Sequence, residues 1–163
     1  MPFENSSLRL WKNLPRPERE LAARTFWQHP PQEAAALAAR EVVQLLRVRP
    51  QAFHKISVEA RVRALAGLAN PSEAVAEALL VALHLDARRP LLVDFLDALG
   101  APHEEGLIAE DAEIAPPSVA ALAPIATSLA EKHGAAAVRL YWNVLWMQDR
   151  ERWAALEAAA PAA

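Results

Sequence analysis

His103, Glu104 and Glu105, with Asp111 a few positions on, are the residues whose types and spacing come nearest to a reactive set. Histidine titrates near neutrality and a neighbouring carboxylate tunes it, so His103 with Glu104, Glu105 or Asp111 is the acid–base candidate. The preferred expectation is structural. Gly100, Pro102 and Gly106 delimit a turn whose charges keep it hydrated, and Leu107 and Ile108 return to the core. A second candidate set is Glu73, Glu77 and His84. Four and seven residues bring a helix round to the same side, so these three share a face that would suit a metal ion but is expected to be solvated. No cofactor is expected.

Other chemistries are excluded by composition. The chain has no cysteine, which removes disulfides, thiolate metal sites and cysteine nucleophiles. Its 4 glycines are too scattered to build a phosphate-cradling loop, and no Gly-x-Ser-x-Gly occurs. Glu-x-x-His and His-Glu-x-x-His are also absent.

Two sequence features suit binding rather than catalysis. Tyr141, Trp142 and Trp146 lie on one apolar helix; Trp142 and Trp146 are four apart and stack on one face. If that face is uncovered, it is a protein-interaction or self-association surface. Arg40, Arg47, Arg49, Lys55, Arg61 and Arg63 form a basic stretch, whereas Glu104, Glu105, Glu110, Asp111 and Glu113 share a segment without Lys or Arg. Of the basic set, Arg47, Arg49, Lys55, Arg61 and Arg63 are the candidate phosphate contacts. Against nucleic acid stand a net charge of -3, a sequence pI near 6.0 and no DNA-reading motif.

Helices must position all of these residues. Alanine and leucine dominate, and most of the 13 prolines stand where helices start or have just ended. Helices are predicted from Pro17 to before His29, Pro31 to Arg47, Ser57 onward, Asn70-Pro71-Ser72-Glu73 to Asp86, and Pro90 to Gly100. Further helices follow Ser118, span Ala135–Gln148 and follow Asp149. Asn70 is the expected cap of the fourth, with Glu73 closing a capping box. Ala35, Ala39, Val42 and Leu46 form the inward stripe of the second. Pro124 either kinks its helix or starts a new one. No strand is expected.

The predicted fold is all-α: an irregular single-domain bundle of about seven to eight antiparallel helices, with a short HEAT-like hairpin array as the alternative. Residues 1–16 are expected to form an arm, 17–157 the helical domain and 158–163 a frayed tail. No basic head precedes an apolar run at the N-terminus and no stretch reaches the length of a membrane span, so a cytoplasmic protein is expected. The expected role is a non-enzymatic protein-interaction or structural module. A small helical enzyme or metal protein built on His103 is the alternative, and nucleic-acid binding through residues 40–63 the third. No small-molecule ligand is assigned.

Overall fold

The computed structural model describes every residue except Glu110 and Ala163; the acidic assignment of Glu110 therefore lies outside the described residues. The chain is all-α. Its helices are α1 (Ser7–Asn13), α2 (Arg16–Gln28), α3 (Gln32–Leu46), α4 (Val58–Ala66), α5 (Glu73–Ala82), α6 (Arg89–Leu99), α7 (Val119–His133), α8 (Ala135–Gln148) and α9 (Ala154–Ala159). A 3-10 helix spans Pro50–Lys55, and α5 widens into a π turn over Leu83–Ala87. No helix among the described residues is long and apolar enough to cross a membrane.

Contacts divide the chain into two compact units. One is Ser6–Ala87; the other joins Met1–Asn5 to the chain from Arg88 onward.

In the N-terminal unit α2 packs on α4 and α5, α1 packs on α5, and α3 packs on α4 and α5. Residues 1–16 are not simply an arm: Ser6 caps α1 by accepting from the Arg9 N–H, and Trp11 is fully buried. The Trp11 indole N–H donates to the Leu68 carbonyl at 2.9 Å, and the Arg19 guanidinium lies over its ring. The cap of α5 is Ser72, not Asn70. The Ser72 hydroxyl accepts from the Val75 N–H, and the Ser72 N–H is accepted by the Glu41 carboxylate of α3. Glu41 thus fills the place expected of Glu73, and Glu73 turns to another helix. Its carboxylate oxygens accept the Ser7 N–H at 2.5 Å and the Leu8 N–H at 3.2 Å, covering two of the orphan donors at the start of α1. On α3 the buried residues are Ala38, Val42 and Val43, so the inward stripe is rotated from the expected one and Leu46 is exposed.

In the C-terminal unit α7 packs on α6, α8 and α9. Its aromatic centre is Phe95, whose ring lies 5.7 Å from Tyr141, 5.4 Å from Trp142 and 6.0 Å from Trp153. The helix α7 continues through Pro124, so no new helix starts at that proline. The end of α6 follows the predicted grammar: Pro90 in the first turn and Gly100 at φ 66°.

The segment after Gly100 holds an unpredicted β-hairpin, in which His103 pairs with Ile108 and Glu104 with Leu107. Two-residue strands carry no periodicity to read. Glu105 and Gly106 both have positive φ, the type I′ turn geometry that suits a two-residue loop. Gly106 is also pressed on α6: a Cβ there would stand 2.8 Å from Leu92 Cβ.

Candidate functional site

The hairpin is built as a scaffold. The Gly106 N–H donates to His103 Nδ1 at 3.1 Å, so that nitrogen carries the lone pair and Nε2 carries the proton. Nε2 in turn meets Asp97 Oδ1 at 3.0 Å. A general base needs a free lone pair within reach of a substrate proton, and the one on His103 is spent on backbone. Arg89 holds Glu105 through its carbonyl at 3.3 Å and its carboxylate at 3.1 Å. Glu104 is exposed. Asp111 is exposed and lines a shallow cavity of about 510 Å³ with Glu113, Ile114 and Arg152. These contacts favour the scaffold over the acid–base reading.

The metal set is not brought together. Glu73 is engaged at α1, Glu77 is exposed, and His84 is buried with Nδ1 donating to the Leu80 carbonyl at 2.7 Å. Among the described residues no three His, Asp or Glu side chains group closely enough to hold a metal ion.

The aromatic face of α8 is covered. Trp142 is fully buried and Tyr141 nearly so, and that burial pushes the Tyr141 phenol well above its ordinary titration range. Trp146 is half-buried, with the Phe3 ring against its edge and Arg150 over its face. In this structure Tyr141 and Trp142 present no surface to a partner.

Sequence reasoning missed an ionic link between α6 and α7. Asp94 Oδ2 is bonded to Lys132 Nζ at 2.7 Å and His133 Nε2 at 2.5 Å. The bond from Lys132 is the main cause that holds the Asp94 carboxyl below its ordinary value; partial burial opposes it and His133 adds to it. A carboxyl lowered on folding contributes stability that is complete above its unfolded pKa, near 4, and is lost as pH falls through the lowered folded value. Urea midpoints of the natural protein and Asp94→Asn should therefore differ at pH 7 and converge toward pH 3. An undiminished difference at pH 3 would contradict this account.

What remains exposed is the basic stretch. The α3 helix ends on Arg47 in the left-handed conformation, φ 53°, and the chain turns through Val48 and Arg49 into the 3-10 helix. Leu45, Leu46 and Val48 are exposed there together with Arg47, Arg49 and Lys55. On α3 the residues Ala36, Ala39, Arg40, Val43 and Gln44, spaced at helical turns, form one wall of a groove of about 390 Å³. Pro50 and Phe53 form the other. The 3-10 helix fixes Phe53: Arg61 lies over its ring at 4.4 Å and donates to its carbonyl at 3.1 Å, and the Trp27 ring packs 5.7 Å away. Glu59 is held by Arg24 through two hydrogen bonds, and the charge of Arg63 acts on it only weakly from a distance. Like Arg63, the side chains of Arg40, Arg47, Arg49 and Lys55 have no carboxylate within ion-pair distance among the described residues. The arrangement is a largely apolar groove with Arg40 in its wall, joined in the chain to an exposed stretch in which Leu45, Leu46 and Val48 stand among Arg47, Arg49 and Lys55. The basic cluster was legible in the sequence. The groove was not, because it depends on the rotation of α3 and on where Phe53 lands.

Comparison with protein-family models, with curated proteins and with solved structures gives no match. The class the fold defines is a cysteine-free, all-α protein of two compact helical units.

Proposed function

We propose that the chain is a non-enzymatic interaction module whose N-terminal unit binds an acidic, amphipathic segment of a partner protein. The groove beside Phe53 would take the partner's apolar anchor, and Arg40, Arg47, Arg49 and Lys55 its carboxylates. The observation that carries this reading is a groove walled by Ala36, Ala39, Val43, Pro50 and Phe53 with Arg40 among them, in a segment that also exposes Leu45, Leu46 and Val48 beside Arg47 and Arg49. Contiguous apolar surface rimmed by charge marks interaction sites, and helix-in-groove recognition has this chemistry. Nucleic acid would use the cations but leave the groove and the three aliphatic side chains without purpose. A cytoplasmic setting belongs to the proposal and is consistent with the absence of cysteine.

The probe is a synthetic helical peptide with a leucine stripe flanked by glutamates, titrated into the labelled protein and followed by amide chemical shifts. Shifts should centre on Arg40, Val43 and Phe53. Phe53→Ala, and separately Arg47→Glu with Arg49→Glu, should each weaken binding at least about tenfold, the size expected for an interface anchor or a rim of charge. Shifts elsewhere, or none, would remove the proposal. Tighter binding of a DNA or RNA duplex, falling steeply with salt, would transfer the site to nucleic acid.

A further inference from the structure

The C-terminal unit carries a second recognition surface, already occupied. Met1–Asn5 runs along α8 and α9, joined covalently to this unit only through the residues that separate Asn5 from Arg88. Asn143 is buried in α8 and grips Glu4 with both ends of its amide: Nδ2 donates to the Glu4 carbonyl at 2.7 Å, and Oδ1 accepts the Glu4 N–H at 2.8 Å. Glu157 accepts the Phe3 N–H at 2.7 Å, and Arg139 donates to the Met1 carbonyl. The Phe3 ring is buried, edge-on to Trp146 at 6.0 Å and under the Arg139 guanidinium at 5.3 Å. All four of these hydrogen bonds read backbone, and one pocket reads an aromatic side chain. This is how a protein holds an extended peptide.

With the segment withdrawn, the Asn143 amide and the Phe3 site would face water, so the groove keeps a set of donors, acceptors and ring contacts fitted to an extended peptide. The ligand whose fit is on view is Met-Pro-Phe-Glu-Asn. We infer that the groove also accepts this segment from a second copy of the chain, and that two copies can exchange residues 1–5 reciprocally. The contacts are chemically the same in cis and in trans. Exchange of an identical element is therefore a low-cost route to a dimer with two-fold symmetry. The intramolecular arrangement is favoured at low protein concentration by its high effective concentration, and the exchanged one gains as protein concentration rises.

Full-length variants separate the two halves of the contact. Phe3→Asp spoils the segment and leaves the groove intact; Arg139→Ala with Trp146→Ala spoils the groove and leaves the segment intact. Circular dichroism checks that each is folded, and light scattering with native mass spectrometry reads the assembly. Each variant alone should be monomeric, and an equimolar mixture should contain a one-to-one dimer. A mixture that stays monomeric with both partners folded overturns the inference. So does binding of the free peptide Met-Pro-Phe-Glu-Asn to Phe3→Asp without any dimer in the mixture, since the groove would then take only an unconnected peptide. Should the groove variant fail to fold, the natural chain against Phe3→Asp at rising concentration decides. A dimer fraction that grows in the first and is absent in the second supports exchange; equal behaviour overturns it.

Discussion

Phe95→Ala is expected to destabilise the C-terminal unit by about 3–5 kcal/mol, the range for removing a buried aromatic side chain. Phe95 has no exposed surface and stands within ring-contact distance of Tyr141, Trp142 and Trp153. Deleting it strips three large rings of a shared neighbour and leaves a void that α6 can close only by moving. Part of the loss is apolar transfer, part is the cavity, and the edge-to-face geometry with Tyr141 adds a smaller increment. Two measurements check this. Segment-resolved hydrogen exchange should show protection falling across α6 and α8. Near-ultraviolet circular dichroism should collapse, because Trp142 and Trp153 lose their fixed environment. A loss below about 1 kcal/mol would mean that the surrounding rings repack and that Phe95 is not the centre of this core.

Trp11→Ala should have a comparable effect on the N-terminal unit, again about 3–5 kcal/mol. The indole is fully buried and bonds the Leu68 carbonyl, so truncation opens a cavity and orphans an acceptor at once. Trp11→Phe divides the two contributions: it keeps most of the volume and loses the hydrogen bond, and should cost about 1–3 kcal/mol. Exchange rates in α1 and α5 are the readout, since α1 packs on α5. If Trp11→Ala leaves those rates unchanged, the first helix is decoration rather than part of the unit.

Trp11 also illustrates the limits of reading from sequence. Residues 1–16 look like an arm because α1 is short and its polar Arg9, Lys12 and Asn13 dilute the apolar pattern. What makes it a helix is largely supplied from elsewhere: Glu73 on its first N–H groups and Leu68 on the indole of Trp11. A helix of this length is marginal alone and takes its stability from packing. Asn143 is the opposite case. A lone amide within Tyr-Trp-Asn-Val-Leu-Trp, in a helix apolar nearly all round, is a signal that could have been read. A buried amide must find partners, even though nothing local says that they are the backbone of Glu4.

The contacts of His103 were hidden for a similar reason. The residue types were visible in sequence, but which nitrogen keeps a free lone pair depends on a hairpin only two residues wide on each side.

Local physics determined much of this protein from its sequence alone. Proline and glycine punctuation, helix propensity and serine caps set the all-α class and most helix boundaries, because those preferences act within a turn or two of chain. The tertiary structure alone decided the division into two units, the pairing of Glu41 and Glu73 with helices other than their own, the groove beside Phe53, and the docking of residues 1–5. Each depends on contacts between residues far apart in sequence, whose geometry is set only when the helices pack.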